Sequence, residues 1–137
     1  MKKSILILCV SFLLMNCSSE SSKQSILTGT WKFIEISQQN EDLSGGFVVV
    51  PQEYQFSFII NPNGVANTDL YPCSGIIEKN ENLLTLNMEC NLRDLNPYYY
   101  LGNDTHPFTI QGNILIIDPS QCDEGCRIKF EKQNDLQ

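Results

Sequence analysis

The chain has 137 residues, with nine Lys and Arg against 16 Asp and Glu, a formal net charge of −7, six cysteines and one histidine. An acidic balance of this size repels phosphate backbones, so no nucleic-acid contact is expected. The length suffices for one domain with a modest core and not for two.

Lys2 and Lys3 precede a mainly apolar stretch, Ser4 to Met15, of 12 residues. A bilayer crossing needs about 20 apolar residues, so this stretch reads as the core of an export signal and not as a span. It closes on Leu14-Met15-Asn16-Cys17, and the polar run Ser18-Ser19-Glu20-Ser21-Ser22-Lys23 follows. The arrangement resembles the signal of bacterial lipoproteins. Leu14 and Cys17 match that family's pattern of Leu, a small residue, Gly or Ala, then Cys; Met15 and Asn16 depart from it. The resemblance implies a signal peptide over 1–16, acylation of Cys17 by palmitate-like chains, and lipid anchoring in a Gram-negative envelope membrane, the outer membrane or another facing the periplasm. An ordinary signal peptide with an incidental cysteine is the alternative. Residues 17–26 then form the lipidated cysteine and a tether too poor in apolar residues to fold. Loss of Lys2 and Lys3 leaves seven basic against 16 acidic residues in the remaining 121, a net charge of −9.

After the tether nearly every segment reads as strand. Thr30 to Ser37 is β-rich; Gln38 to Gly46 is a polar loop; Phe47 to Val50 is a short β-branched run stopped by Pro51. Tyr54, Phe56, Phe58 and Ile60 alternate with Gln55, Ser57 and Ile59, the pattern of a half-buried strand. Asn61-Pro62-Asn63-Gly64 has tight-turn chemistry, and Val65 to Tyr71 returns as a strand. Gly75 to Lys79 and Leu83 to Cys90 form a hairpin around Glu81-Asn82. Asn91 to His106 has no clear period and contains Tyr98-Tyr99-Tyr100. Phe108 to Ile110, a turn at Gln111-Gly112-Asn113 and Ile114 to Ile117 make a second hairpin. Gly125 to Lys132 is the last strand, with Cys126, Ile128 and Phe130 on one face. No amphipathic helix of useful length is found. Eight or nine short strands joined by tight turns, without a long crossover, predict an all-β fold: a small antiparallel up-and-down β-barrel over 27–133.

With Cys9 in the leader and Cys17 the lipid site, Cys73, Cys90, Cys122 and Cys126 remain. In an exported domain four cysteines imply disulfides more often than metal. Even positions in Leu84 to Cys90 share one face, and so do Cys73, Gly75 and Ile77. A turn at Glu81-Asn82 sets Ile77 opposite Leu86 and Cys73 opposite Cys90, which favours Cys73–Cys90 and leaves Cys122–Cys126 to close a small loop. A zinc site built from all four is the alternative, because Cys122-x3-Cys126 has ligand-like spacing. No metal or cofactor is expected.

Leu27-Thr28-Gly29-Thr30-Trp31-Lys32 opens the first strand, and here the chain resembles the bacterial lipocalin-like domains, which carry a Gly-x-Trp motif at this point. Gly29 and Trp31 match it. An aromatic strand ending in a Gly turn (Tyr54 to Gly64) and a late hairpin (Ile110 to Leu115) are vaguer matches. The resemblance implies a barrel whose Trp plugs the closed end; the C-terminal helix of that family has no counterpart in this sequence. A second resemblance is to the META domains of envelope lipoproteins, through the same opening strand, Cys73-Ser74-Gly75 and Met88-Glu89-Cys90.

No catalytic motif stands out, and no enzyme activity is expected. His106 precedes Pro107 in an expected loop, where a lone histidine is usually a solvated surface group, and no serine lies in a Gly-x-Ser-x-Gly elbow. Asp118, Asp123 and Glu124 near the last turn, and Glu89, Asp94 and Asp104 beside the tyrosines, read as a solvated acidic face. The three tyrosines suit a barrel rim that touches a ligand or partner, or a loop packed over the barrel end.

The expected function is therefore non-catalytic binding by a membrane-anchored envelope lipoprotein. In one form the barrel holds a small apolar ligand among Phe33, Phe56, Phe58, Leu86 and Tyr99, with Ile114 and Phe130 also facing inward. In the other the core is filled, and the outer surface contacts an envelope protein as an inhibitor or assembly module, through Tyr98 to Tyr100 and the acidic rim. An open cavity favours the first form, and a solid core with an exposed aromatic patch the second.

Overall fold

The computed structural model of the chain describes residues 26–37, 46–70, 72–122 and 125–134. The signal at 1–16, Cys17, the tether up to 25, the segment 38–45, Tyr71, Asp123 and Glu124 lie outside the described residues.

The fold is all-β and antiparallel. Its strands are β1 (Gly29–Ser37), β2 (Val48–Val49), β3 (Ser57–Ile60), β4 (Val65–Thr68), β5 (Ser74–Asn80), β6 (Leu83–Met88), β7 (Thr105–Gln111), β8 (Ile114–Ile117) and β9 (Arg127–Gln133), with one helical turn, α1 (Leu92–Leu95). Pairing follows chain order from β3 to β9, and β9 returns to pair with β1, so eight strands close into a ring with β2 as a short annex on β1. This is the up-and-down barrel that the pattern of short strands and tight turns predicts.

Closure is made by the two ends of the domain. Thr30 pairs with Gln133, Phe33 with Phe130 and Ile36 with Ile128, and the register shifts by one between Phe33 and Glu35. The bulge at Ile34 keeps both Phe33 and Ile36 on the inner face, which simple alternation would not allow. The other edge of β1 is shared: β3 pairs with Gly29 to Lys32, and β2 with Glu35 and Ile36. Between β2 and β3, Pro51 leads into a 3-10 turn, Gln52–Tyr54. The strand expected from Tyr54 therefore begins only at Ser57, and Tyr54 lies outside it. Phe56, Phe58 and Ile60 keep their inward parity; Ser57 is buried as well, because its backbone N–H donates to Asp69 Oδ1 at 2.6 Å.

The register sorts the connections onto two ends. One end carries the tight turns at 61–64, 81–82 and 112–113 and the start of β1; there Trp31 is buried, and its indole N–H donates to the Leu27 carbonyl at 2.7 Å. Gly29, with φ +122°, lets the chain bend between them, in a conformation that strains any L side chain. The other end carries the longer connections that follow Ser37, Thr68, Met88 and Ile117.

The β5–β6 hairpin has the register read from parity: Ile77 faces Leu86 and Gly75 faces Met88. One step beyond, Cys73 and Cys90 form a disulfide with Cα atoms 5.6 Å apart. Gly75 is required beside it, since an added Cβ would collide with the Asn87 carbonyl oxygen and Met88 Cα. Cys122 and Cys126 form the second disulfide, so all four cysteines are bonded to one another and the zinc alternative does not hold. One inward residue is corrected: Ile114 pairs with Glu131 on the outer wall, while Leu115, opposite Phe130, and Ile117 are buried.

Removal of the Cys73–Cys90 bridge by C73A/C90A frees a loop of 17 residues, and the expected loss is about 3 kcal/mol in urea unfolding. C122A/C126A, closing only four residues of separation, should shift the urea midpoint far less.

Candidate functional site

The loop end brings together most of the side chains that could contact a ligand or partner. The segment 89–104 crosses this end. It starts at the disulfide, makes α1, and then sends Tyr99 and Leu101 into the barrel, both 2% exposed or less. Two asparagines hold its flanks. Asn96, itself buried, donates from Nδ2 to the Tyr54 carbonyl at 2.7 Å and accepts from the Tyr98 N–H at 2.9 Å. Asn103 accepts from Met88 N–H at 2.9 Å and donates to the Met88 carbonyl at 2.8 Å, mimicking a strand pair with β6.

Within the barrel, Tyr99 meets Phe33, Phe56 and Phe58, and Phe130 completes the cluster, with ring centroids 5.1–6.4 Å apart. Most of these contacts are edge-to-face, the geometry that places a positive ring edge on a negative face. Phe33, Phe56, Phe58 and Tyr99, named as ligand-contact residues, are thus packed against one another as core; Leu86 is buried beside them. Under the segment Leu86, Met88, Leu92, Tyr99, Leu101, Gly102 and Asn103 line a crevice with no room for a water molecule. Tyr98 and Tyr100 stay half-buried, Tyr98 stacked on Tyr54 at 5.1 Å. The tyrosines therefore follow the loop-over-the-end arrangement and do not form an exposed rim.

The Tyr99 hydroxyl has no hydrogen-bond partner although it is buried. Burial pushes its phenol well above the ordinary value, so it stays protonated.

His106 is not on the surface. It lies in β7, fully buried, on the same inward parity as Phe108. Pro107 does not end the strand: its carbonyl accepts from the Asp118 N–H at 2.9 Å, and the next residue, Phe108, donates to the Asn82 carbonyl at 2.9 Å. The Ser120 N–H donates to His106 Nδ1 at 3.1 Å; because a backbone amide only donates, Nδ1 must accept, and Nε2 carries the proton toward the Gly102 carbonyl at 3.2 Å. Ser120 Oγ lies 3.3 Å from Nδ1 and donates to Asp104 Oδ2 at 3.2 Å. A serine, a histidine and an aspartate are thus adjacent, but Asp104 binds the serine and not the far ring nitrogen that a proton relay would need. The cluster suits a brace that ties the 89–104 segment to the β8–β9 loop.

Of the acids expected on this face, Asp123 and Glu124 lie outside the described residues. The Thr105 N–H, and then the Ser120 hydroxyl, hold the Asp104 carboxyl below its usual range. Partial burial raises Asp118, with Arg127 opposing. Glu89 accepts from Ser74 Oγ at 2.6 Å, and Asp94 accepts from Asn91 Nδ2 at 2.9 Å.

On the outer wall beside this end, Phe47 lies under two cations, Lys129 Nζ at 3.9 Å and Arg127 Cζ at 5.1 Å from its ring centroid. Lys129 also pairs with Glu35. Val48 and Val49, next in the chain, are 67% and 65% exposed, and Leu70 and Leu95 at the same end are exposed too.

Comparison with protein families, with curated proteins and with solved structures returned no match. The site is therefore read from its own geometry.

Asp104 offers a check on the brace. A carboxyl whose pKa is lowered by folding contributes stability above the ordinary aspartate range, and that contribution is lost as pH falls through the lowered value. D104N should lower Tm at neutral pH and flatten the acid limb of the Tm–pH curve. A limb with unchanged slope would show that these bonds do not form in solution.

Proposed function

We propose that the protein is an envelope lipoprotein, anchored through acylated Cys17 by way of a short tether, whose lipocalin-like barrel works without catalysis by contacting another envelope protein. The observation that carries this reading is the filled interior: Phe33, Phe56, Phe58, Tyr99 and Phe130 occupy the space in which a ligand would sit. Among the described residues, the two most exposed large hydrophobics, Val48 and Val49, lie at the loop end, with Leu70 and Leu95 also exposed there. Phe47, with Arg127 over its ring, adds an aromatic and an arginine, residue types that interfaces favour.

Among the described residues no helix is long and apolar enough to cross a membrane. The membrane attachment in this reading rests on Cys17, in the company of Lys2, Lys3 and the apolar run before it. Binding of a small apolar molecule inside the barrel is the second reading. One observation favours it: Tyr99 reaches the core from a loop and leaves its hydroxyl unpaired there.

Two experiments in a Gram-negative host test these readings. C17S should abolish incorporation of labelled palmitate and move the protein from the membrane to the soluble fraction; continued labelling would refute the anchor. A photo-crosslinking amino acid at Val48 or Leu95 should capture a defined protein, whereas one at Leu83, on the opposite end, should not. Equal capture from all three positions would remove the loop end as the contact surface. A small-molecule adduct retained in native mass spectra and lost on unfolding would instead favour the second reading.

A further inference from the structure

Tyr99 enters the barrel from the 97–102 segment, between the two asparagine anchors at Asn96 and Asn103. Its own backbone N–H is spent locally, on the Asn96 carbonyl at 3.0 Å. A tyrosine that belonged permanently to this core would be expected to find its hydroxyl a partner, since a buried unpaired hydroxyl is costly and rare. The same ring packs beside Leu86, Met88, Leu92 and Leu101 in the crevice beneath α1. If Tyr99 swings outward, its hydroxyl meets water, and the place of its ring is left free among apolar side chains.

We propose that Tyr99 is a displaceable plug, and that the place it vacates is a closed binding site for a neutral aromatic ring, walled by Phe33, Phe56 and Phe58. The plug itself defines the ligand class. Tyr99 meets the three phenylalanines at interplanar angles of 60–79°, contacts that another flat ring reproduces and an alkyl chain does not. The walls named are all apolar, so a carboxylate or ammonium would be buried there without a counter-charge. The far end of the site offers the tyrosine hydroxyl nothing, so a ring without a polar group at that position fits better than a phenol. The inference rests on the second of the two readings above and deepens it; it competes with the filled interior that carries the first.

Removing only the hydroxyl should stabilise the closed form and so tax binding; removing the ring should vacate the site. The test uses the full chain as wild type, Y99F and Y99A, with Trp31 fluorescence reporting thermal unfolding, and toluene and phenylacetate as the neutral and charged probes. Y99F should unfold at higher temperature than wild type and bind toluene about tenfold more weakly. Y99A should unfold at lower temperature, regain much of the loss when saturated with toluene, and bind it more tightly than wild type. Phenylacetate should stabilise none of the three. A lower unfolding temperature for Y99F would mean that the hydroxyl has a partner, and the plug would be refuted. Equal toluene stabilisation of all three proteins would place the ligand elsewhere, refuting the plug while keeping small-molecule binding. No stabilisation of any of them would refute both the site and the small-molecule reading.

Discussion

The pairing of β1 with β9 is the constraint on which the rest of the molecule depends. Without it the sheet has two free edges, and the inner faces of Phe33 and Phe130 are no longer held against each other. Closure also fixes the diameter. An eight-stranded ring leaves an interior just wide enough for side chains to fill, and five aromatic rings fill it here. The bulge at Ile34 is part of that solution, because it lets β1 change partners along one edge while both halves keep an apolar face inward.

From closure follows the difference between the two ends. Tight turns consume few residues and leave no side chains over the barrel mouth, so Trp31 and Leu27 close that end from within β1 and its approach. At the other end the connections are long enough to fold back. Side-chain hydrogen bonds hold them there: Asn96 to Tyr54, Asn103 to Met88, and His106 to Gly102 and Ser120, while the Tyr99 hydroxyl stays unpaired. The chemistry of the molecule is thus concentrated at one end, as a set of braces around an inserted ring.

The sequence was legible where one face of a strand is apolar and the turn is unambiguous. Parity in Leu84 to Cys90 and the turn at Glu81-Asn82 give the hairpin register and the first disulfide together, since a shift of one residue would turn every inward side chain outward. It was less legible where parity is hidden. Ile114 to Ile117 is apolar at every position, so only its pairing with β9 decides that Leu115 and Ile117 face in. His106 carried a readable signal, its even spacing from Phe108 and Ile110, obscured by the proline between. The inserted Tyr99 had none, because a loop has no period, and which of three tyrosines turns inward depends on anchors as distant in sequence as Tyr54 and Met88.

Both covalent bridges lie at the loop end, and neither touches the tight-turn end. The two halves of the molecule therefore respond differently to the redox state of their surroundings. Reduction acts first on the cover over the barrel mouth, which begins at Cys90 and is braced through Ser120 against the connection that carries Cys122. In a reducing compartment the cover would loosen first, and the whole domain would lose the stability that the Cys73–Cys90 bridge contributes.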